Sequence, residues 1–201
     1  FAAAGGLPVL RMVGSSSFAY GFQNHALSPD AIRWTGEVRS GELGVYSLPH
    51  PSRLANQLVT CVSGLVPNSG TPSKIRVQCH FENARTGATS RPRLTTDLAP
   101  ESPPLGDGQR AYAHTVALGS AIGVVRSSYP NYGIQPYPTA LTLDLLLPDG
   151  TYVTDVLDWS YFDGVKIFRA VELGNGRAAL VMQGTRQEVG TRALIAVIGC
   201  Q

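Results

Sequence analysis

The clearest pattern of apolar and polar positions runs from Leu141 to Trp159. Leu141-Thr-Leu-Asp-Leu-Leu-Leu147 and Thr151-Tyr-Val-Thr-Asp-Val-Leu-Asp-Trp159 flank Pro148-Asp149-Gly150. Two strand-like runs around such a turn predict a β-hairpin. Pro148 presets φ for the second position of a type I turn, and Gly150 takes the left-handed position that closes a three-residue loop. This pairing sets Leu147 opposite Thr151, Leu145 opposite Val153 and Leu141 opposite Leu157. One side of the first strand is then leucine at 141, 143, 145 and 147, a face that must be buried. The chain offers no amphipathic helix large enough to cover it. The cover is therefore expected to be a sheet, built partly from Ala193 to Ile198 and Ile75 to Phe81. Asp155 falls opposite Leu143 on the leucine side, and a bulge that turns it outward resolves the conflict.

The remaining runs are read around this hairpin. Leu7 to Val13 predicts a first strand, and Phe18, Tyr20 and Phe22 put three aromatics on one core-facing side of the next. Ile32, Trp34 and Val38 alternate with Arg33, Thr35, Glu37 and Arg39, as in a sheet with one wet face. Ser40-Gly41-Glu42 then predicts a hairpin into Leu43 to Leu48. Pro49 to Leu58 is the best place for a short helix, opened by Pro51 or Ser52 with Leu54, Ala55 and Leu58 inward. After a strand from Val59 to Val66, Ile75, Val77, Cys79 and Phe81 alternate with Lys74, Arg76, Gln78, His80 and Glu82, which predicts a strand with a wet, basic face. Turn residues dominate from Asn83 to Gly108, with a short edge strand at Arg93 to Leu98, and again in the Tyr129 to Pro138 loop. Tyr112 to Leu118, Ile122 to Ser127, Val165 to Val171, Arg177 to Gln183 and Thr191 to Ile198 complete the strands, with turns at Gly174-Asn175-Gly176 and Gly184-Thr185. The result is a single all-β domain over 1–201, a β-sandwich or barrel, jelly rolls included, with long Pro/Gly-rich loops and at most one or two short helices.

Composition narrows the surface more than the fold. Charged residues make up only 15% of the 201, below the usual quarter, and the net charge is +2. Fourteen of the sixteen basic residues are Arg, with Lys only at 74 and 166, and Arg favours fixed bidentate or stacked contacts such as those at interfaces. No window reaches the ~18 apolar residues of a membrane span, and Ala193 to Gly199 is read as a buried strand. The chain opens at Phe1 rather than Met, which suggests a fragment or processed product. Cys61, Cys79 and Cys200 lack metal spacing; small buried thiols are the preferred reading, and a Cys61–Cys79 bridge stays open if their strands are neighbours.

Candidate chemistry is thin. Gly119-Ser120-Ala-Ile-Gly123 lacks the residue that a nucleophile elbow needs between its first Gly and Ser. His25, His50, His80 and His114 permit triads on paper only, because a triad is a geometry rather than a composition. Asp155, Asp158 and Asp163 are the one group to weigh for Ca²⁺, and solvated hairpin-end carboxylates are the preferred reading. Lys74, Arg76, Arg85, Arg91 and Arg93, near His80 and Phe81, form a basic segment able to hold phosphates or an anionic glycan, with a solvated sheet face as the preferred reading. No Asn-x-Ser/Thr sequon occurs.

Short strands split by Pro/Gly/Ser/Tyr loops, Arg nearly to the exclusion of Lys, and low charge together resemble the capsid proteins of small RNA viruses, in particular their protruding or spike domains. The resemblance implies a β-sandwich or small barrel that dimerises on the particle and presents loops to receptors. A shell domain would commonly follow a basic arm, whereas this chain opens on Ala and Gly. The expectations are a non-enzymatic structural domain without metal or cofactor, self-associating as a dimer or capsid lattice, on the virion surface, with a host receptor or glycan as partner and no direct nucleic-acid contact. Its recognition residues are taken to be Tyr129, Tyr132 and Tyr137 on one loop and Arg85, Arg91 and Arg93 on the other. A secreted carbohydrate-binding module or lectin, stacking sugars on those tyrosines or on Trp34 and Trp159, is the alternative class, and a β-barrel hydrolase a third.

Overall fold

The structure, a computed structural model, describes residues 2–4, 7–16, 19–28, 31–45, 51–66, 75–97, 110–129, 141–158, 164–186 and 190–199. These residues form strands and turns, with no helix among them. The first sheet holds β1 (Ala2–Ala4), β2 (Leu7–Ser16) and β3 (Ala19–Leu27), with β4 (Ile32–Thr35) and β5 (Arg39–Gly41) sharing the far edge of β3. The second holds β6 (Gly44–Val45), β7 (Ser52–Leu54), β8 (Gln57–Leu65), β9 (Ile75–Asn83) and β10 (Thr89–Asp97). The third holds β11 (Arg110–Leu118), β12 (Ala121–Tyr129), β13 (Leu141–Leu146) and β14 (Tyr152–Asp158), and the fourth β15 (Gly164–Gly174), β16 (Arg177–Arg186) and β17 (Gly190–Gly199). All pairings among the described strands are antiparallel and join strands close in sequence, with β5 on β3 and β6 on β8 each skipping one strand, so the all-β expectation is realised as four meander-like sheets.

The sheets stack in chain order. Tyr20 and Phe22 of the first, with Leu43 from the link between β5 and β6, meet Val62 of the second, and Trp34 meets Leu58 and Ala84. The other side of the second sheet, Leu54, Val59, Cys61, Val77, Cys79 and Phe81, packs on Ile122, Val124 and Leu146 of the third. The third then turns Val116, Leu118, Val125 and Leu143 to Ala178, Leu180, Met182 and Ile198 of the fourth. The leucine face is thus covered by the 193–198 strand, as expected. The 75–81 strand covers the opposite face of the same sheet, through Leu146, so β13 is buried from both sides.

The organising hairpin has the predicted loop. Gly150 takes φ +96° and its amide donates to Leu147 O at 3.0 Å, Leu147 N donates to Thr151 O, and Asp149 Oδ1 accepts the Thr151 amide at 2.8 Å. Leu145 pairs with Val153, after which Thr154, Asp155 and Val156 oppose Asp144 alone. The bulge expected at Asp155 is present, and it moves Leu157 from Leu141 to Leu143. Asp144 itself is fully buried and accepts from Tyr152 Oη at 2.7 Å.

Three local expectations are corrected. The helix at Pro49–Leu58 is instead the β7–β8 hairpin, with Ala55-Asn56 as its loop; residues 46–50 lie outside the described set. Leu54 and Leu58 sit i, i+4 but face opposite sides of the second sheet, and ladder bonds outweigh a helix too short to be stable alone. Ile32 (60% exposed), beside a register shift against β3, and Val38 (69%) point outward, while Arg39 turns inward because the chain leaves strand conformation at 36–38 and reverses the alternation. Ser40–Glu42 does not turn back into a hairpin: β6 crosses to the second sheet and pairs with β8. No helix among the described residues is long and apolar enough to cross a membrane.

Candidate functional site: a polar layer between the first two sheets

Among the described residues, the greatest concentration of buried polar chemistry lies between β3 and β9. In β9 the odd positions 77, 79 and 81 face the third sheet, so 78, 80 and 82 must face the first. Gln78, His80 and Glu82 are all buried there, which corrects the expectation of a wet, basic face. The first sheet answers them with polar groups of its own. Tyr20 Oη lies 2.7 Å from Gln78 Oε1 and 2.6 Å from His80 Nε2. A phenol has one proton, and the amide oxygen needs a donor. Tyr20 therefore donates to Gln78, and His80 presents Nε2–H to Tyr20 Oη. This tautomer is a neutral imidazole, in accord with a pKa lowered to about 4 by burial and then by the charges of Arg93 and Arg39. Burial likewise raises Tyr20 to about 12. The Phe22 and His80 rings meet nearly at right angles with centroids 5.2 Å apart.

Two residues along, Asn24 Nδ2 donates to Glu82 Oε2, and Arg39 Nε stands 3.7 Å from Glu82 Oε1. Arg39 Nη1 donates to Glu37 Oε2 at 2.8 Å, and Thr89 Oγ1 donates to the same oxygen at 3.0 Å. Burial pushes the Glu82 carboxyl above the usual range, against the lowering influence of Asn24 and Arg39. Glu82 Oε1 and Asn24 Oδ1 accept no hydrogen bond. Two glycines make room for the layer: a Cβ at Gly36 would stand 2.4 Å from Glu82 Oε1, and one at Gly41 2.6 Å from Gln78 Oε1.

Of the arginines expected to recognise a partner, Arg91 and Arg93 also make contacts within the chain. The Arg91 guanidinium lies 3.6 Å from the Phe81 ring centroid and donates to Pro148 O at 3.2 Å, joining the edge of the second sheet to the organising turn. Burial lowers its pKa. Arg93 Nη1 donates to Ser40 O at 3.2 Å, joining the second sheet to the first. Arg76 pairs with Asp97, and Arg85 is exposed in the Asn83–Gly87 turn, whose amides at 85 and 86 Asn83 Oδ1 accepts. These side chains therefore do not gather into one free basic patch. Tyr129 ends β12 opposite Arg110; Tyr132, Tyr137, Lys74, Trp159 and Asp163 lie outside the described residues. Gly119 and Ser120 form the β11–β12 turn, with Gly119 at φ +63°. No group of three or more His, Cys, Asp or Glu among the described residues is placed to hold a metal ion.

Cys61 and Cys79 are register partners on β8 and β9 and form a disulfide in the second-to-third-sheet core. The bridge, which the sequence left open, is thus made, against the preferred reading of free thiols. Sequence reasoning passed over Tyr20, Asn24 and Arg39 as polar partners. Its one available signal was the unusual trio Gln78, His80 and Glu82 between apolar neighbours.

No family model matches the chain, and no curated protein matches it. Among solved structures it is similar to one titled "Glycoside hydrolase" (TM-score 0.28, 7% identity, 96% of this chain and 88% of the other). It is also similar to a structure of a BT0996 complex with RGII (TM-score 0.29, 7% identity, the same coverage). Likeness at this level carries no functional argument.

Proposed function

We propose that the chain is a non-catalytic structural and interaction domain of the kind found on the surface of a viral coat, self-associating and presenting its surface to a host receptor. The observation that carries this reading is the destination of its acid–base chemistry. His80, Tyr20, Glu82 and Arg39 are spent on joining two sheets. Burial moves His80 to about 4 and Tyr20 to about 12, both away from the near-neutral values that suit proton transfer at pH 7. Arg91 and Arg93 likewise serve as ties between sheets. Sedimentation analysis with a glycan array and a hydrolase screen tests the reading: a specific oligomer without turnover supports it. Reproducible turnover abolished by His80→Ala or Glu82→Ala overturns it.

One observation favours the second reading, a secreted carbohydrate-binding module: the Cys61–Cys79 bridge suits an oxidising compartment. Trp34 is a poor sugar platform, because it is half-buried with Gly87 packed against its ring. Broad glycan binding in the array would favour this alternative.

A further inference from the structure

An edge strand carries a row of unpaired N–H and C=O groups that another extended chain can take up, and folds commonly obstruct such edges. The described edges of this fold are obstructed at every strand but one. β1, β4, β5, β6 and β7 hold only two to four residues each. β10 carries Pro92, two register shifts and the charged residues Arg91, Arg93 and Asp97. β14 has its bulge together with Asp155 and Asp158. β15 has two register shifts and the charged residues Lys166, Arg169 and Glu172. In β11 the Ala117 amide is already taken by Glu172 Oε1 at 3.0 Å. β17 has none of these devices. It runs for ten residues, its register against β16 is unbroken from Gly190 to Gly199, it holds no proline, and Arg192 is its one charged residue. Among the described residues it pairs with β16 alone, and no backbone hydrogen bond outside that ladder reaches it. The expectation of a buried strand at Ala193–Gly199 therefore holds for one face only: Leu194, Ala196 and Ile198 pack inward, the first two only partly covered, while Ile195 (75% exposed) and Val197 are open.

We infer that the free edge of β17 is where the chain self-associates, a second copy adding its own β17 antiparallel about a two-fold axis at Ile195. Two three-stranded sheets then become one of six strands. The inference rests on the reading of the chain as a self-associating domain. The unpaired main chain sets the class of occupant, because an extended polypeptide answers it with donors and acceptors in the same alternation. The strand's own sequence selects a second copy. A two-fold at Ile195 keeps each face of the sheet continuous and sets Leu194 opposite Ala196, and Ala193 opposite Val197, of the other copy, large against small in each pair. Equivalent surfaces meet in such a contact, so charge at its centre would meet like charge. Here Arg192 falls opposite Ile198 rather than its own counterpart. Register also sets Arg169 in the row of Val181 and Ile195, but on β15 at the far side of the sheet. Across the joined sheet the two Arg169 positions lie five strand spacings apart, about 24 Å, against a screening length of ~8 Å. Every pairing among the described strands is antiparallel already, and the contact continues that ladder.

The test compares wild type, Ile195→Lys and Val181→Glu by sedimentation over a concentration range, with circular dichroism and melting as controls. Ile195 is open to solvent in the single chain, so Ile195→Lys is expected to fold and melt like wild type. In the pair it sets two lysines directly opposite each other, and its dimer is expected to dissociate roughly tenfold more readily or worse. Val181→Glu, one strand further in on the same open face, is expected to leave the dimer unchanged. Ile195→Cys in a Cys200→Ser background is expected to cross-link between chains on oxidation, which does not depend on how Ile195→Lys folds. Val181→Cys in the same background, about 14 Å from its counterpart across three strand spacings, is expected not to. A wild-type dimer that survives Ile195→Lys and leaves Ile195→Cys uncross-linked overturns this edge and leaves the self-association reading standing, and its loss in Val181→Glu would place the contact on the sheet face instead. A wild type that stays monomeric throughout overturns both.

Discussion

Replacing His80 with Gln isolates one titration and gives the polar layer a measurable value. The imidazole is almost fully buried, with Nε2–H donated to Tyr20 Oη and the charges of Arg93 and Arg39 nearby, so the folded protein keeps it neutral to about pH 4. The unfolded chain takes up the same proton near 6.5. Between those values the unfolded state binds more protons. The stabilisation is therefore fully present above pH 6.5 and is lost as pH falls through the window to about 4. A displacement of that size corresponds to about 3 kcal/mol, a large share of the ~5–15 kcal/mol of an ordinary domain. Glu82 acts in the opposite sense, because its carboxyl is raised and the folded protein takes up its proton first, so the raw wild-type pH curve mixes the two. Glutamine keeps an N–H donor within reach of Tyr20 and does not titrate. Urea unfolding of both proteins from pH 7.5 to 4 is expected to show the stability difference, wild type minus variant, shrinking by about 3 kcal/mol. A difference that stays flat would refute the buried neutral imidazole, and one that grows on acidification would mean that the imidazolium is stabilised by Glu82.

Other perturbations test other layers. Ala55, at φ +53° in the β7–β8 turn, sits where a Cβ is strained, so Ala55→Gly is expected to raise stability by about 0.5–1 kcal/mol in chemical denaturation. Gly36→Ala forces a Cβ against the Glu82 carboxylate and is expected to cost about 2–3 kcal/mol by the same assay, with the near-ultraviolet dichroism of the first sheet's aromatics altered. Removing the disulfide as Cys61→Ala with Cys79→Ala, whose partners are 18 residues apart, should cost about 3 kcal/mol, and thiol titration of the unfolded, unreduced wild type should find one reactive group per chain.

What the sequence made legible was local. Pro148-Asp149-Gly150 and Gly174-Asn175-Gly176 carry their turn geometry in their own residues: Asn175 and Gly176 take φ +52° and +70°, the conformation of a type I′ loop. Even the Asp155 bulge followed from one acid set against a leucine face. What stayed hidden was non-local. Alternation tells which side chains share a face and says nothing of what lies across it, so Gln78, His80 and Glu82 read as a wet face until Tyr20 and Asn24 are placed over them. Arg91 and Arg93 read as free charge because their acceptors, Pro148 O and Ser40 O, lie 57 and 53 residues away. Arg39 was set on the wrong side because three non-strand residues at 36–38 reverse its phase.

The polar layer also bears on how four sheets of similar texture keep their order. Two of the three internal interfaces are apolar, and apolar faces discriminate poorly among one another. The fourth sheet keeps an open apolar face of the same kind, so the first sheet has a competing surface to settle on. Its inner face makes that exchange unfavourable. Tyr20 and Asn24 find acceptors on Gln78 and Glu82, whereas against Val181, Ile195 and Val197 each would be buried without a partner, at about 1–3 kcal/mol apiece. Discrimination then comes from the penalty for the wrong partner more than from gain with the right one. The same chemistry makes the first interface respond to pH. The second and third interfaces are mainly apolar, with Tyr152 and Asp144 meeting at the edge of the second, while the first depends on the protonation of His80 and Glu82. Acid therefore acts on the first interface through both groups, protonation of His80 loosening it and protonation of Glu82 opposing that.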